Sequence, residues 1–239
     1  LRLFLNDEIF LLAVKNTLIF ALVTGPGGYI LCFVFAWLIH QIPPVPRSLL
    51  TLLFYAPSIA GNMYVIWKYI FSNDAYGLIN TLGMQMGLIS DPVIWLGDSR
   101  YLVGVVIVVV LWQSLGAGFL SFIAGLQNVD RTLYEAGSVD GISNRWQELY
   151  FITLPAMRPQ LMFGAVMSIT ASFGIGPVIT ALVGFPSPNY AAHTMMHHLE
   201  DYGGTRFEMG YACAIATLLF LLMVGINKWI QKLLSKVGQ

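Results

Sequence analysis

Residues 16–46 read NTLIFALVTGPGGYILCFVFAWLIHQIPPVP and contain no Asp, Glu, Lys or Arg between Lys15 and Arg47. A helix needs about 20 apolar residues to cross a hydrocarbon core of about 30 Å. The stretch exceeds that length, so it predicts a transmembrane helix followed by a short turn. Four more intervals lack these charged residues, namely residues 48–67, 101–129, 159–199 and 209–227.

The composition of the 239-residue chain agrees with a membrane protein, since 57% of its residues are apolar and only 10% are charged. A soluble surface needs about 25% charged residues. Twelve basic residues balance twelve acidic ones, so the chain lacks the basic excess that nucleic-acid binding requires. The predicted fold class is all-α, a polytopic transmembrane helical bundle that forms one domain over residues 1–239.

Five membrane spans are predicted, near residues 13–39, 48–71, 102–126, 160–183 and 209–231. Several of them contain Gly and Pro, in the run Gly25–Gly28, at Pro57 and in the run Gly174–Pro177. Such residues predict kinks, which a membrane tolerates where neighbouring helices satisfy the freed backbone groups. Close helix packing through small residues is an equally good interpretation.

The distribution of Lys and Arg predicts the orientation, because cytoplasmic segments carry the excess of these residues. One set of segments carries seven of them: Arg47, Arg131, Arg145, Arg158, Lys228, Lys232 and Lys236. The opposite set carries five: Arg2, Lys15, Lys68, Arg100 and Arg206. The C-terminus is therefore predicted inside and Leu1 outside. An outside N-terminus without a signal segment further predicts a sixth span upstream.

The predicted spans contain no Asp or Glu. Proton- and sodium-coupled carriers usually hold their coupling ion with an intramembrane carboxylate, so the absence argues against a secondary carrier. The motifs H-E-x-x-H, G-x-S-x-G and G-x-x-x-x-G-K-[ST] do not occur either. We therefore expect no catalytic residue, no cofactor and no metal site in this chain, which disfavours an intramembrane enzyme. Any uphill transport would need another subunit to supply energy.

Cysteines and histidines offer little further chemistry. Cys32 and Cys213 lie in apolar stretches and are predicted to be small core residues. His193 and His197 have the i, i+4 spacing of a metal pair, with His198 beside them, but no third ligand is fixed. The three histidines are predicted to form a polar docking or solvated surface.

The inner loop over residues 127–159 has the pattern of two short helices. Asp130 is placed to cap the first helix, whose Leu133, Ala136 and Val139 share one apolar stripe. Gly141 then breaks the helix, and Ser143 is predicted to cap the second. The loop has no Lys and nearly balanced charge, so anionic lipid would hold it weakly. Its exposed apolar face is better suited to a groove on another protein.

These residues carry a resemblance to a known family. Glu135-Ala136-Gly137, then Gly141, then Ile152-Thr153-Leu154-Pro155 resembles the EAA loop of ABC-importer inner-membrane permeases. The fuller pattern is similar to the carbohydrate-importer branch, and within it to the larger permease of the maltose-transporter type. The similarity extends to Trp67-Lys68, Tyr76–Asn80 and Trp112-Gln113. One departure is Gly137, where the family pattern has a second Ala.

The resemblance implies a permease domain over residues 1–239 of an ATP-driven, binding-protein-dependent sugar importer in a bacterial inner membrane. The implied partners are a second homologous permease, a cytoplasmic ABC ATPase dimer, an external sugar-binding protein and the lipid itself. ATP and Mg would be bound by the ATPase and not by this chain. The loop would couple to the ATPase through Glu135, Ala136, Gly137, Asp140 and Gly141.

The resemblance also suggests a substrate path, because a sugar needs hydrogen-bonding and aromatic side chains at membrane depth. The candidates are Gln113, Ser114, Ser168, Ser172 and Phe173. A membrane Ser can instead bond a backbone carbonyl, which would be a structural role. The outer acids would dock the binding protein, namely Asp74, Asp91, Asp98, Glu200, Asp201 and Glu208. The alternative functions are an ABC permease for another solute, such as glycerol phosphate, or a secondary carrier.

Overall fold

The structure, a computed structural model, describes residues 7–61 and 63–234. No strand occurs in that part of the chain, which confirms the predicted all-α fold class. The α-helices are α1 Glu8–His40, α2 Pro44–Ile59, α3 Tyr64–Ile70, α4 Leu78–Gln85, α5 Ser99–Gln113, α6 Ala117–Asn128, α7 Arg131–Val139, α8 Arg145–Glu148, α9 Leu154–Ala156, α10 Arg158–Phe173, α11 Gly176–Val183, α12 Met195–Glu200 and α13 Met209–Leu234. Two π-helices, Leu149–Thr153 and Asp201–Thr205, and the 3₁₀ turn Pro188–Tyr190 complete the described elements.

Three helical stretches of the described chain are long and apolar enough to cross a membrane. They are Glu8–His40, Ser99–Asn128 and Met209–Leu234, with mean hydropathies of 2.0, 2.2 and 2.2. The pairs α2 with α3 and α10 with α11 pass the same test as broken spans, which raises the number to five. The chain is thus built as a multi-pass membrane protein. The predicted orientation depends in part on Leu1, Arg2 and Lys236, which lie outside the described residues.

The Gly and Pro residues within the spans have different structural consequences. α1 continues through Pro26 without a break, whereas α10 ends at Phe173 and α11 begins at Gly176. The third predicted span, residues 102–126, contains a break that the sequence did not indicate, because α5 ends at Gln113 and α6 begins at Ala117. The predicted kink therefore occurs at the run Gly174–Pro177, where α10 and α11 are bent by 44°, and no helix break occurs at Pro26.

Packing divides the chain into two compact units. The first unit comprises residues 1–24, 60–112 and 171–222, and the second comprises residues 25–59, 113–170 and 223–239. The core of the first unit combines two helical faces, each with apolar residues three or four positions apart. These faces are Leu102, Val105, Val106 and Val109 from α5, and Val178, Ile179 and Leu182 from α11.

The core of the second unit is rich in aromatic residues. Phe122 of α6 is fully buried, and its ring meets Tyr29 and Phe33 of α1 edge to face at centroid distances of 5.5 and 5.6 Å. Such edge-to-face pairs add about 0.5–1.5 kcal/mol beyond the area they bury. Cys32 lies in this core as predicted, whereas Cys213 on α13 is exposed, so the prediction of a core residue is wrong there.

Candidate functional site

The first half of the inner loop is a helix fixed at both ends. The Asp130 carboxylate accepts a hydrogen bond from the backbone N–H of Thr132 at 3.0 Å, and this bond lowers the pKa of Asp130. At the other end, Gly141 has a φ of +91°. The N–H groups of Gly141 and Ile142 donate to the carbonyls of Ser138 and Gly137 at 3.3 and 2.9 Å. These bonds form a Schellman cap, which requires the left-handed backbone that glycine adopts readily.

The second half of the loop begins one residue later than predicted. The cap of α8 is Asn144, whose side-chain oxygen accepts from the backbone N–H of Trp146 at 3.1 Å. The prediction of Ser143 is wrong, since its backbone N–H donates to Gln147 instead. Asn and Ser occur as helix N-caps with similar preference. Only the backbone geometry therefore shows which of these two neighbouring residues is the cap.

A side-chain hydrogen bond joins the two halves of the loop. The hydroxyl groups of Tyr134 on α7 and Thr153 on the π-helix lie 2.9 Å apart, and Thr153 is buried. The Thr153 hydroxyl also lies 3.2 Å from the carbonyl of Glu148. Thr153 belongs to the I-T-L-P segment of the sequence motif. This segment therefore anchors the preceding helix as well as leading into α10.

The predicted coupling residues are mainly on the outside of the loop. Glu135, Ala136 and Asp140 are exposed. Around them lie apolar side chains that the described chain leaves uncovered, namely Leu133, Val139, Trp146, Tyr150 and Phe151. Val139 is 86% exposed, a high value for an aliphatic residue on a rigid helix. The loop thus presents an apolar surface with acidic residues beside it.

Gly137 faces the opposite way and is buried. A Cβ atom at this position would lie 2.7 Å from Cδ1 of Ile152 and 3.2 Å from Cδ1 of Ile142. Those isoleucines fill the space that the second Ala of the family pattern would use. The departure from the pattern is therefore an internal packing adjustment that leaves the exposed face unchanged.

Two of the predicted substrate-path residues come together in the second unit. Ser114 and Ser168 both approach Gly28 of α1, where a Cβ would lie 3.0 Å from Cβ of Ser114 and 3.6 Å from Oγ of Ser168. The Ser168 hydroxyl donates to the carbonyl of Gly25 at 2.9 Å, and the Cys32 thiol donates to the carbonyl of Ser114 at 3.1 Å. Ser168 thus has a structural bond to α1, whatever further role it has.

The other three predicted path residues are placed separately. Gln113 is half-buried at the end of α5. Ser172 and Phe173 belong to the first unit and are 3% and 2% exposed. The path assignment remains a prediction for all five residues.

The outer histidines are buried, so the prediction of a docking or solvated surface is wrong. His193, His197 and His198 are only 2%, 2% and 3% exposed. His193 Nε2 lies 3.1 Å from Nδ1 of His198, and His198 Nε2 lies 3.0 Å from Oδ2 of Asp7. The Tyr211 hydroxyl donates to the same carboxylate oxygen at 2.6 Å. We call these residues, Asp7, His193, His197, His198 and Tyr211, the histidine network.

Bonds to neighbouring backbone hold the histidine network in place. Asn16 Nδ2 donates to the carbonyls of Tyr190 and His193 at 3.2 and 3.0 Å. The Thr17 hydroxyl accepts from the N–H of Met195 at 2.9 Å. Asp7 also accepts from the N–H of Phe10 at 2.9 Å and so caps α1. The network therefore fastens the start of α1 to the segment before α13.

Burial controls the protonation of the histidine network. Burial, together with the neighbouring His197 and His198, lowers the pKa of His193 to about 4, while Asp7 acts in the opposite direction. Burial also lowers the pKa of His197. Burial alone would raise the pKa of Asp7, but hydrogen bonds from Tyr211, Phe10 and His198 outweigh it and lower the pKa overall. His193 and His197 are consequently neutral at pH 7.

The described part of the chain contains no obvious metal-binding site. No group of three or more His, Cys, Asp or Glu side chains there is arranged to hold a metal ion. His193 and His198 bond each other, His198 also bonds Asp7, and His197 bonds Thr180 and Thr194.

Local bonds already occupy several outer acids. Asp74 accepts from the N–H groups of Tyr76 and Gly77, and Asp201 pairs with Arg206 at 2.8 Å. Docking of a binding protein by the six predicted acids is untested.

Asn80 is an organising residue that the residue-by-residue analysis missed. It is fully buried, and its Nδ2 lies within 3.0–3.1 Å of the carbonyls of Ser72, Asp74 and Val93. Its Oδ1 accepts from the N–H of Val93 and from Nε1 of Trp95. Asn80 therefore holds together the loop before α5. The sequence feature that could have indicated this role is a polar amide, Asn80, directly after the apolar residues Leu78 and Ile79.

The helices, the broken spans and the capped inner loop together define a membrane-embedded permease. The pattern of the family "Binding-protein-dependent transport system inner membrane component" matches residues 17–236, and the chain belongs to this family. The resemblance to importer permeases is thereby confirmed. The family is a transport component, so the prediction that the chain is not an enzyme is confirmed as well.

Relatives and solved structures agree with this assignment. The chain is 26% identical over 232 residues to the lactose transport system permease protein LacF of Rhizobium radiobacter, covering 95% of this chain and 76% of LacF. It is 25% identical over 228 residues to the sn-glycerol-3-phosphate transport system permease protein UgpA of Agrobacterium fabrum, covering 93% and 75%. A bacterial ABC transporter that imports alginate has the same fold, with a TM-score of 0.84, 20% identity and coverage of 98% and 82%.

Proposed function

We propose that this chain is one permease subunit of an ATP-driven, binding-protein-dependent sugar importer. The observation that carries the proposal is the inner loop, a rigid capped unit whose apolar surface no described residue covers. Residues Asp130 and Asn144 cap its helices, and Gly141 closes the first helix with a left-handed turn. Family membership, with residues 17–236 matched, supports the same conclusion.

A rigid loop of this kind can transmit force between proteins. An ATPase that closes on ATP can move a membrane helix only if a stiff element is docked on it, because a flexible loop would absorb the motion. Glu135, Ala136 and Asp140 are exposed for that contact, whereas Gly137 and Gly141 shape the loop from within. In this proposal the ATPase dimer binds ATP and Mg, and the C-terminus lies on the cytoplasmic side of the membrane, as the loop does.

The remaining partners follow from the same assignment. A second homologous permease would complete the translocation path, and an external sugar-binding protein would deliver the solute to the outer loops. Gln113, Ser114, Ser168, Ser172 and Phe173 are proposed to line the path. Ser114 and Ser168 support the proposal most directly, since both lie against the small-residue segment of α1 near Gly28.

A sugar is the proposed solute because the relatives include a lactose permease and the matching fold includes an alginate importer. The similarity to UgpA, at 25% identity, favours glycerol phosphate as the second candidate. The two candidates can be separated by uptake of labelled oligosaccharides and labelled glycerol phosphate into proteoliposomes containing the complete importer and its binding protein. Uptake of glycerol phosphate alone would reject the sugar assignment.

The coupling role is tested by Glu135→Arg in the complete importer. Reversing an exposed charge at the docked surface should reduce uptake and ATPase stimulation at least about tenfold, since removing a charged contact costs about 1.5–3 kcal/mol. The amount of protein in the membrane should not change. Glu8→Arg is the matched control, because Glu8 is also an exposed acid but lies in the first unit. Equal uptake by both variants would reject the coupling role of Glu135.

A further inference from the structure

A cavity of about 560 Å³ lies in the second unit, between the inner loop and the ends of two spans. Three arginines and one histidine line it, namely Arg47, Arg131, Arg145 and His40. Arg47 comes from the start of α2, His40 from the end of α1, and the other two arginines from the loop. The cavity is large enough for a phosphodiester group with its first water shell.

The positive charge of this cavity is poorly neutralised. Glu148 is its only acidic lining residue, and it pairs with Arg145 at a long 3.7 Å. No acidic partner of Arg131 or Arg47 occurs among the described residues. Arg131 and Arg145 are exposed, and three guanidinium groups around one cavity produce a positive potential that attracts anions.

Polar atoms that line the cavity are also placed to donate hydrogen bonds to a ligand. Nε and Nη2 of Arg47 donate to the carbonyl of Ile42 at 3.1 and 2.9 Å, which fixes the guanidinium and leaves Nη1 free to donate to a ligand. Nδ1 of His40 is buried without a hydrogen-bond partner in the described part of the chain. A buried polar atom without a partner costs about 1–3 kcal/mol, so an occupant that bonds it is favoured.

We propose that this cavity binds the phosphate group of an anionic phospholipid at the inner surface of the membrane. The orientation rests on the proposed function, which places the inner loop in the cytoplasm. Guanidinium groups bind phosphate oxygens in pairs through their forked N–H groups. Basic pockets between transmembrane helices on the cytoplasmic side have the chemistry of anionic headgroup sites.

The position of the cavity favours a lipid over an acidic side chain of the ATPase. His40 is the last residue of a helix with the hydropathy of a membrane span, and the cavity also touches Trp37, a residue type that prefers the headgroup region. The exposed coupling residues Glu135, Ala136 and Asp140 do not line the cavity. The loop alone has nearly balanced charge, and its arginines become an anion site only beside Arg47 and His40.

The test measures lipid retention by native mass spectrometry of the importer complex taken from nanodiscs. The nanodiscs contain either phosphatidylcholine alone or phosphatidylcholine with phosphatidylglycerol. The wild type should retain phosphatidylglycerol in preference to phosphatidylcholine. Arg131→Gln with Arg145→Gln should weaken that retention about 25-fold, at roughly fivefold for each basic residue. Lys228→Gln is the matched control, since Lys228 is basic and exposed but does not line the cavity.

The possible outcomes separate the sources of the anion. Equal retention of phosphatidylglycerol by wild type and double variant would overturn the proposal. So would specific binding of inorganic phosphate that displaces the lipid, since the phosphate would then come from solution. Loss of the ATPase subunit from the double variant, with lipid retention unchanged, would assign the cavity to the ATPase. Arg131→Lys with Arg145→Lys should keep most of the retention, which distinguishes lost charge from misfolding. Retention requires no transport, so a failure of the sugar-importer proposal would show separately in the uptake assay.

Discussion

The histidine network and the inner loop are stabilised in similar ways but expose different side chains. Both use side-chain caps and short polar bonds to fix non-repetitive backbone. In the network the polar atoms face inward, and His193, His197 and His198 are at most 3% exposed. In the loop the polar bonds are internal as well, but Leu133, Val139 and Trp146 face outward at 46%, 86% and 66% exposure.

The difference in exposure indicates which of the two regions is expected to contact another protein. The buried network makes most of its hydrogen bonds within the chain, although Nδ1 of His193 has no partner among the described residues, and such a network stabilises one conformation. A rigid element that exposes apolar side chains has been stabilised for contact with something else. The network is therefore expected to govern stability, and the loop is expected to govern transport.

Gly141→Pro should produce the largest effect and should act on transport. Proline fixes φ near −65° and cannot adopt the +91° of Gly141, so the helix cap would be lost. Uptake by the complete importer should fall at least about tenfold, consistent with a local cost of about 3 kcal/mol. Gly87→Pro is the control, because Gly87 also has a positive φ, +70°, and an open environment but lies in the first unit. Equal losses of uptake in the two variants would remove the distinction between the regions.

Asp7→Ala should act on stability instead. It removes the hydrogen bonds that the Asp7 carboxylate accepts from Tyr211, His198 and the N–H of Phe10, and a hydrogen bond to a charged group contributes about 1.5–3 kcal/mol. The midpoint of thermal unfolding in detergent should fall by several degrees. Glu8→Ala removes the adjacent, exposed acid and should leave the midpoint almost unchanged. An unchanged midpoint for Asp7→Ala would show that the network contributes no net stability.

Acidification should also weaken the first unit. The pKa of His193 is about 4 in the folded protein, against an ordinary value of 6.5, so the unfolded chain binds the proton first as the pH falls. The stability is complete above about pH 6.5 and is lost progressively towards pH 4. The pKa of Asp7 is lowered, so its contribution is lost only at more acid pH.

The measurement compares unfolding midpoints at pH 7.5 and pH 5. His193→Gln removes the titrating group and should reduce the difference between the two midpoints, even if the variant is less stable at both. A midpoint that does not change with pH in the wild type would contradict the buried, neutral state of His193.

Gly137→Ala should have the smallest effect. The helix gains up to about 1 kcal/mol from the replacement of glycine by alanine, but the new Cβ meets Cδ1 of Ile152 at 2.7 Å. Because the contact involves the end of a flexible side chain, the two effects should cancel to within about 1 kcal/mol and uptake should be retained. Gly137→Val adds branched bulk against the same isoleucine and should lower both stability and uptake. If Gly137→Ala abolished uptake, the internal role of Gly137 would be wrong.

The sequence predicted the helices and the first half of the loop because their signals are local. Charge-free intervals located the spans, and Asp130 and Gly141 were identified as the cap and the break. Ser143 was predicted as the cap of the second helix, and the structure has Asn144 instead; both residue types cap helices well, so cap preference does not separate these neighbours. The break between Gln113 and Ala117 was not predicted because it lies inside the charge-free interval 101–129, and the spans were located from the missing charges.

The histidine network could not be predicted from the sequence because its partners are far apart in the chain. His198 bonds Asp7 across 191 positions, and Tyr211 bonds it across 204. In the sequence His193 lies among polar residues, and such a setting predicts a side chain exposed to solvent. Large sequence separation also limits prediction of the substrate path, since the hydrogen bond from Ser168 to Gly25 joins residues 143 positions apart.

The hydrogen bond between Tyr211 and Asp7 has a consequence for biosynthesis. Tyr211 is synthesised 204 residues after Asp7, so this hydrogen bond can form only after the spans between the two residues have left the ribosome. Contacts with such large sequence separation form late. Helix α1, whose mean hydropathy is 2.0, therefore enters the membrane before this bond can hold it, and the bond is one of the last contacts of the first unit to form.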